Sequence, residues 1–358
     1  MKIGIYDPYL DDLGGGEKYM LTIAECLSKK HDVYVFWDNR DDFEGIKKRF
    51  ALNLDKVKLC ENIFSSKINF GKKLLKSQKY DVIIVVSDGS IPFVLSKKLF
   101  LHIQQPLERI NVSSWKDKIK LARVSGVFYN SEFTRNFDDK IFSTVKSVVI
   151  YPPVFIPDLD VKKEDVILHV GRFRPTNNGT DDFKKQAVMI EEFKKLVDMK
   201  QIKNWKFLIA ASIKNSDEGK FEQLKKSAKG YPIEFFINQT NDELWNLYGK
   251  AKIYWHASGY GENLDKHPEY AEHFGISTVE AMGAGVVPVA INAGGQIEII
   301  TNGKNGFLWN NLEELQSKTE KLIKDSKLLM EMSKEAKIRA KDFSKEKFNE
   351  RIINLIEQ

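Results

Sequence analysis

Residues 272–291 read Glu-His-Phe-Gly-Ile-Ser-Thr-Val-Glu-Ala-Met-Gly-Ala-Gly-Val-Val-Pro-Val-Ala-Ile and carry the clearest indication of the fold class. Small and apolar residues alternate over 276–282 and predict a helix, while the apolar runs 253–257 and 286–291 predict buried strands before and after it. A strand, a loop, a helix and a second strand in this order are typical of doubly wound α/β proteins. Glu272 is therefore expected in the loop before the helix, and Glu280 inside the helix.

The chemistry of this stretch points to a ligand that has both phosphate and hydroxyl groups. The first backbone N–H groups of a helix lack partners and lie at the positive end of its dipole, which suits phosphate. Carboxylates repel phosphate but accept hydrogen bonds from hydroxyls. Glu272 and Glu280 on either side of such a helix end therefore indicate a nucleotide sugar, with a diphosphate between a sugar and a ribose. The spacing alone leaves an alternative open, in which Glu272 caps the helix and Glu280 is a solvated surface residue.

Composition sets limits on the class of protein. A chain of 358 residues with 42% hydrophobic content fits two domains better than one. Its net charge of +6 comes from 56 basic and 50 acidic residues that are interspersed, which indicates an ordinary lysine-rich surface and no nucleic-acid partner. Cys26 and Cys60 form neither a disulfide framework nor a zinc motif. The N-terminus does not resemble a signal peptide and no run approaches the ~18 apolar residues of a membrane span, so we expect a cytoplasmic protein.

One basic segment departs from this even distribution of charge. Residues 67–79 combine five lysines with Phe70, Leu74 and Leu75 and contain no acidic residue. This pattern suits a helix that lies on an anionic membrane, and such a helix would place the protein peripherally at the cytoplasmic membrane face. A solvated helix that packs through its leucine face is the alternative.

Strands and helices alternate along the whole chain. Apolar runs predict strands at 3–6, 33–37, 57–60, 82–86, 99–103, 127–130, 148–151, 166–170, 207–211, 233–237, 253–256 and 287–291. The prolines of the segment 151–157 interrupt this alternation and predict a linker. We therefore expect an N-terminal acceptor domain at 1–151, a linker at 152–163, a C-terminal donor domain at 164–335 and a C-terminal helix at 336–358 that packs back on the N-terminal domain.

Two further motifs lie where the chain leaves the first strand of each predicted domain. Gly15 and Gly16 open a helix in the first domain, and glycines there let a ligand approach the backbone closely. In the second domain Gly171 and Arg172 follow the strand, and Lys184 comes twelve residues after Arg172. A guanidinium and an ammonium bind a diphosphate and offset the charge that develops on it as a leaving group.

The spacing Glu-x7-Glu, with Phe-Gly inside it and Glu-Ala-Met-x-x-Gly at its end, resembles the signature of the group 1 (family 4) retaining glycosyltransferases. The resemblance implies the GT-B fold, in which two Rossmann-like doubly wound domains face each other across a cleft. It also implies that Glu272 contacts the hydroxyls of the donor sugar and Glu280 the ribose. The backbone amides of Phe274, Gly275 and Ile276 would complete the sugar and phosphate site.

The resemblance extends to the other motifs. It implies a catalytic set of Glu272, Arg172 and Lys184. It also implies further donor-binding residues, namely Gly15, Gly16, Gly171, Lys185 and Gly295. His256 is a further candidate for the donor pocket because it ends a predicted strand just before the long loop 258–272. For Lys185 a surface position and for His256 a purely structural role remain alternatives.

The N-terminal domain departs from the family at one position. Many members have a histidine two residues before a proline near the reacting sugar, whereas this chain has Gln104 there and His102 two residues earlier. A neutral amide cannot serve as a base, which argues against a role of Gln104 in proton handling. We expect both Gln104 and His102 near the acceptor or the sugar.

The function implied is retaining transfer of a hexosyl group from a nucleoside-diphosphate sugar to a hydroxyl of a glycan, lipid-linked or small-molecule acceptor. No Asp-x-Asp motif or His/Cys cluster is placed for a divalent ion, so we expect neither a metal nor another cofactor. Two alternatives are a non-catalytic nucleotide-sugar-binding partner of a glycosyltransferase complex and a nucleotide-sugar epimerase. The sequence leaves the donor sugar and the acceptor open.

Overall fold

The computed structural model describes residues 1–12, 14–107, 114–175 and 182–357. These residues form two compact units. Unit 1 comprises Met1–Pro153 and the segment from Lys345 onward, and unit 2 comprises Val154–Ser344.

Unit 1 is built on a parallel sheet of seven strands. These strands are β1 (Lys2–Tyr6), β2 (Asp32–Phe36), β3 (Val57–Cys60), β4 (Val82–Val86), β5 (Lys98–Ile103), β6 (Gly126–Tyr129) and β7 (Ser147–Val149). The helices between them are α1 (Gly15–Leu27), α2 (Arg40–Phe50), α3 (Phe70–Ser77), α4 (Trp115–Leu121) and α5 (Glu132–Asp138). The strand order is β3-β2-β1-β4-β5-β6-β7, so the winding direction reverses between β1 and β4. All five residues of β4 are buried, as expected for a strand covered by helices on both faces.

Unit 2 repeats this architecture with six parallel strands. They are β8 (Val166–Arg172), β9 (Lys206–Ser212), β10 (Ile233–Ile237), β11 (Ile253–His256), β12 (Val287–Ile291) and β13 (Phe307–Trp309). The helices are α6 (Gln186–Asp198), α7 (Glu218–Ser227), α8 (Asn241–Lys250), α9 (Ile276–Gly283), α10 (Gln296–Ile299), α11 (Leu312–Lys324) and α12 (Ser326–Ala340). The order is β10-β9-β8-β11-β12-β13, so the reversal lies between β8 and β11. The predicted fold class is confirmed, since both units are doubly wound.

The borders of the units differ from the predicted ones. Residues 336–340 belong to α12, which packs on α9 within unit 2. The last helix, α13 (Lys345–Glu357), packs on α1 and adds Phe348, Ile352 and Ile356 to the core of unit 1. The segment predicted as a linker, 152–163, divides at Pro153, and most of it belongs to unit 2. Within it, Lys163 donates hydrogen bonds to two carbonyls at the C-terminal end of α8.

The 272–291 stretch folds as a loop, the helix α9 and the strand β12. Gly275 precedes α9 with φ 118°, in the left-handed region that glycine adopts without strain. Gly285 follows α9 with φ 75°, and this lets the chain turn directly into β12. Among the described residues no helix is long and apolar enough to cross a bilayer.

Candidate active site

Three of the predicted site residues meet at the carboxyl ends of β8 and β11, where the sheet of unit 2 reverses direction. The Nζ of Lys184 lies 2.6 Å from Oε2 of Glu272. The Nε2 of His256, the last residue of β11, lies 3.0 Å from the same oxygen. Ser258 extends the chain of contacts, with its Oγ 3.4 Å from Nε2 of His256. The structure thus joins Lys184, Glu272 and His256 in one hydrogen-bonded cluster.

The charges of this cluster follow from its surroundings. Burial alone would raise the pKa of Glu272, but the charge of Lys184 and the hydrogen bond from His256 together hold it well below the usual range. Burial lowers the pKa of His256 against the opposing effect of Glu272, so the imidazole is neutral at pH 7. The side chains of Lys184 and Glu272 remain 25% and 19% exposed. A ligand can therefore reach an ionised carboxylate and an ammonium group side by side.

Tight backbone packing holds Glu272 in place. The N–H of Gly295 donates to the carbonyl oxygen of Glu272 at 2.8 Å. A β-carbon at Gly294 would overlap that carbonyl, and one at Gly295 would overlap the backbone of Phe274. Gly294 and Gly295 therefore support the loop that carries Glu272. The N–H of Gly295 is used in this support, whereas the sequence predicted that Gly295 contacts the sugar donor.

Neither glutamate fits the alternative of a helix cap and a solvated surface residue. The residue before α9 is Gly275, and the carboxylate of Glu272 bonds Lys184 and His256. Glu280 is half-buried within α9 and accepts a hydrogen bond from the hydroxyl of the fully buried Tyr248 at 3.0 Å. Both carboxylates are thus oriented by partners inside unit 2.

Lys185 lies apart from the cluster. Its Nζ is 2.5 Å from Oε1 of Glu262, and its backbone adopts φ 57° just before α6. Asp182 shapes this turn by accepting hydrogen bonds from the N–H groups of Lys184 at 2.7 Å and Gln186 at 2.9 Å. Consequently Lys184 and Lys185 contact different carboxylates, and Lys185 ties the turn to the loop before Glu272.

The remaining predicted residues of unit 2 surround this arrangement. Gly171 lies beneath Lys184, where a β-carbon would come within 3.2 Å of the lysine Cγ. Arg172 is the half-buried last residue of β8. Phe274 is buried and packs against Phe343, with ring centres 5.4 Å apart, and Ile276 is the first residue of α9.

In unit 1 the structure brings together Gly16 and Gln104 but buries His102. Gly15 and Gly16 open α1, and a β-carbon at Gly16 would overlap the side-chain amide of Gln104. His102 has no exposed surface and stacks on Tyr19, with ring centres 4.2 Å apart. Burial lowers the pKa of His102 to about 3, so this ring is a neutral core residue where a position facing the ligand was predicted.

Three residues that contact the site were not predicted from the sequence, namely Asp182, Tyr248 and Ser258. Asp182 could have been predicted, because an aspartate shortly before a predicted helix is a common N-terminal cap. Tyr248 and Ser258 could not, since their contacts to Glu280 and His256 come from the packing of separate elements. Among residues 1–12, 14–107, 114–175 and 182–357 no group of three or more His, Cys, Asp or Glu side chains is placed to hold a metal ion.

Solved structures share this architecture over the whole chain. The HepE protein of Anabaena, crystallised with UDP and glucose, is 18% identical with a TM-score of 0.71, covering 100% of this chain and 99% of that one. Sucrose-phosphate synthase of Thermosynechococcus elongatus is 14% identical with a TM-score of 0.70, covering 100% and 98%. At this level of identity the likeness shows the fold, which is GT-B with two Rossmann-like units.

A sequence profile of the family described as Glycosyl transferases group 1 matches residues 156–339, which is just over half of the chain. The chain therefore belongs to the group 1 glycosyl transferases.

Two curated relatives illustrate the range of the family. A GDP-Man:Man(3)GlcNAc(2)-PP-Dol alpha-1,2-mannosyltransferase of Dictyostelium discoideum is 27% identical over 297 residues, covering 79% of this chain and 55% of the relative. The chain thus spans about half of the length of this relative, and less of its Xenopus laevis and human counterparts, at 37% and 48%. A GalNAc-alpha-(1->4)-GalNAc-alpha-(1->3)-diNAcBac-PP-undecaprenol alpha-1,4-N-acetyl-D-galactosaminyltransferase of Campylobacter jejuni is 25% identical over 366 residues, covering 96% and 95%.

Proposed function

We propose that the protein is a retaining glycosyltransferase that moves a hexosyl group from a nucleoside-diphosphate sugar to a hydroxyl of a lipid-linked glycan. The cluster of Lys184, Glu272 and His256 at the topological switch of unit 2 carries this proposal. The acceptor class rests on the relatives, since the names of both the Dictyostelium and the Campylobacter enzymes contain a glycan on a polyprenyl diphosphate.

The chemistry follows from the side chains present. The ionised carboxylate of Glu272 accepts hydrogen bonds from donor sugar hydroxyls, and Glu280, held by Tyr248, does the same for the ribose. Lys184 and Arg172 stabilise the charge that develops on the leaving diphosphate, a task that fixed cations perform without reorganisation. No metal or other cofactor takes part in this proposal.

Every bond that breaks or forms in the transfer step belongs to one of the two substrates. The bond between the anomeric carbon and the diphosphate oxygen breaks, and the acceptor hydroxyl oxygen forms the new bond on the same face. The hydroxyl proton passes to the leaving diphosphate oxygen. The neutral His256 holds Glu272 by a hydrogen bond and is not a proton carrier in this step.

A donor screen tests the proposal. GDP-mannose, UDP-N-acetylgalactosamine and UDP-glucose are compared by thermal shift, since a ligand at 100 times its Kd stabilises the native state by about 2.7 kcal/mol. We expect one of them to raise the Tm and to be transferred to a prenyl-diphosphate oligosaccharide, with the donor anomeric configuration retained by NMR. Binding without turnover would indicate a non-catalytic partner, and conversion of the donor without acceptor would indicate an epimerase. If no nucleotide sugar binds, the proposal fails.

Two variants separate the roles of the glutamates. Glu272→Gln keeps the shape of the side chain but removes the charge next to the sugar, so we expect kcat to fall about a hundredfold. Glu280→Gln is expected to raise the donor KM about tenfold with kcat nearly unchanged. Equal effects of both variants on kcat would contradict this division.

We also propose peripheral membrane contact through segment 67–79 at the cytoplasmic face. The helix α3 exposes Phe70 and Leu75 by 61% and 63%. Lys72 and Lys76 both pair with Glu61, so part of the positive charge of the segment is already neutralised. Membrane binding would therefore depend on the exposed apolar side chains as well as on the remaining lysines.

A further inference from the structure

Unit 1 contains an open cavity of about 360 Å³ that has no part in the donor site proposed above. Its wall includes Tyr6, Phe64, Phe70, Phe93, Lys73 and Lys120. Tyr6 ends β1, and Val85 and Val86, which also line the cavity, end β4. The cavity therefore lies beyond the carboxyl ends of the two strands between which the sheet reverses.

This position corresponds to that of the Lys184 cluster in unit 2. In open α/β sheets the loops diverge at the reversal point, and the crevice that results is where ligands bind. Unit 2 has Lys184 and Glu272 at its reversal between β8 and β11, and unit 1 has this cavity at its reversal between β1 and β4. The volume lies within the range of small-ligand sites, roughly 300–1,000 Å³.

Aromatic rings form one side of the cavity. Tyr6 and Phe64 stack with ring centres 4.3 Å apart and an interplanar angle of 16°. Phe70 and Phe93 stack with centres 6.1 Å apart, although Phe70 is 61% exposed. Large rings that stay in contact with solvent, with a polar rim around them, are suited to the apolar C–H face of a pyranose.

Two lysines supply positive charge on the same cavity. Lys73 is half-buried, its Nζ lies 4.7 Å from the ring centre of Phe64, and no carboxylate of the described residues lies within ion-pair distance. Burial and then the charge of Lys120 lower the pKa of Lys73, so the two ammonium groups lie close enough to repel each other. Lys120 has a partner in Asp117, at 3.3 Å. An anion between these lysines would relieve the repulsion.

Lys73 differs from the other two lysines of α3, Lys72 and Lys76, because both of those pair with Glu61. Lys72 lies next to Lys73 on the helix but bonds Glu61 and does not line the cavity. Asp88 and Ser90 complete the polar part of the wall, and the Oδ1 of Asp88 accepts a hydrogen bond from Oγ of Ser90 at 2.8 Å. A carboxylate and a hydroxyl beside the aromatic rings suit sugar hydroxyls.

We propose that this cavity binds a sugar that carries a phosphate or diphosphate, with the pyranose on Tyr6 and Phe64 and the phosphate between Lys73 and Lys120. This inference rests on the proposed function and deepens it, because the bound group is the phosphorylated end of the acceptor. The same chemistry is present in a free sugar phosphate and in a prenyl-linked sugar diphosphate.

Calorimetric binding to the full chain tests the assignment. The probes are N-acetylglucosamine, N-acetylglucosamine 1-phosphate and an N-acetylglucosaminyl diphosphate with a short prenyl chain. We expect binding of both phosphorylated probes and at least tenfold weaker binding of the unphosphorylated sugar. Tighter binding of the prenyl compound would identify the lipid-linked source, and equal binding of both would identify the sugar phosphate itself as sufficient.

Matched variants decide whether the site is the cavity. Lys73→Ala is expected to weaken both phosphorylated probes at least tenfold and to raise the acceptor KM, with donor binding unchanged. Lys72→Ala, on the same helix, is expected to leave all of these values unchanged. Equal effects of the two variants, no effect of Lys73→Ala, or no binding of any probe to the unmodified protein would overturn the inference. Failure of the proposed function is distinguished because nucleotide sugars would then not bind, whatever the probes show.

Discussion

The ammonium group of Lys184 lies 2.6 Å from the carboxylate of Glu272, although 88 residues separate them in the chain. The pair is only partly exposed, so its charges interact more strongly than a surface ion pair does. A donor diphosphate would compete with Glu272 for Lys184 and would release the carboxylate for the sugar hydroxyls.

Replacing Lys184 by methionine should make catalysis sensitive to acid. The lysine charge opposes the effect of burial on the pKa of Glu272, so without it this pKa rises. We expect a flat profile of kcat/KM against pH for the unmodified enzyme between pH 5.5 and 8.5, because Glu272 stays ionised. The variant should be about a hundredfold slower at pH 7.5 and should lose further activity as the pH falls. Lys194→Met, which breaks an ion pair with Glu191 on α6, serves as the control. A flat profile in Lys184→Met would refute the coupling.

Tyr248→Phe should weaken nucleotide binding and leave the chemical step intact. The buried hydroxyl of Tyr248 donates to Glu280 at 3.0 Å, and a hydrogen bond to a charged group contributes about 1.5–3 kcal/mol. We expect the Kd of UDP or GDP, measured by calorimetry, to rise about tenfold with kcat within a factor of two. Tyr254→Phe is the comparison, since its hydroxyl bonds Ser277 at 2.8 Å and does not reach Glu280 in the described contacts. A larger effect of Tyr254→Phe would contradict the role of Glu280.

Gly295→Ala should destabilise the loop of Glu272. The new β-carbon would overlap the backbone of Phe274, and backbone atoms cannot move away as a flexible side chain can. We expect a lower Tm and loss of donor binding. Gly45→Ala, within α2, meets no atom within 4 Å and should instead stabilise unit 1 by about 0.5–1 kcal/mol. Unchanged donor affinity in Gly295→Ala would show that the loop adapts.

Asp7→Asn should stabilise the protein at alkaline pH. Burial and then the charge of Glu17 raise the pKa of Asp7 to about 7. The native state therefore binds this proton more tightly than the unfolded chain, in which aspartates titrate at about 3.9. The free energy of unfolding consequently falls as the pH rises from about 3.9 to about 7. The slope is about 1.4 kcal/mol per pH unit. The N–H of Tyr9 donates to Oδ1 of Asp7 at 3.0 Å. An asparagine oxygen can accept the same hydrogen bond, but the asparagine side chain cannot ionise. Urea unfolding at pH 5, 6.5 and 8 should show a flatter dependence in the variant, and parallel curves would exclude Asp7 as the source.

Vesicle sedimentation tests the membrane contact of segment 67–79. We expect binding to vesicles with anionic lipid that weakens with salt, because surface charges are screened over about 10 Å at 0.1 M. Leu75→Ser combined with Lys79→Glu should reduce the bound fraction severalfold. Met330→Ser removes a side chain that is 68% exposed in unit 2 and should have no effect. Absence of binding to anionic vesicles would leave the segment as a solvated helix.

The positions of most strands could be predicted, because strands buried in a parallel sheet consist of apolar runs that are visible in the local sequence. The stretch from Ile253 to Ile291 yields β11, α9 and β12, as the alternation of apolar and small residues predicts. The strand β13 was not predicted, because its apolar run covers only Phe307–Trp309, between Gly306 and Asn310. The equally short β7 was found because apolar residues continue it to Tyr151. The border at residue 336 was misplaced since α12 continues through it to Ala340, and only its packing on α9 assigns it to unit 2.

The two doubly wound units, the glycine turns and the Glu-x7-Glu motif could be predicted from the sequence, because periodicity, backbone freedom and spacing are properties of neighbouring residues. Which charged groups meet is known only from the folded chain. Lys184 bonds Glu272 while the adjacent Lys185 bonds Glu262, Tyr248 orients Glu280, and His102 is buried against Tyr19. Such pairings depend on how strands and helices far apart in the chain pack together. The residues next to a side chain in the sequence therefore do not reveal which partner it contacts.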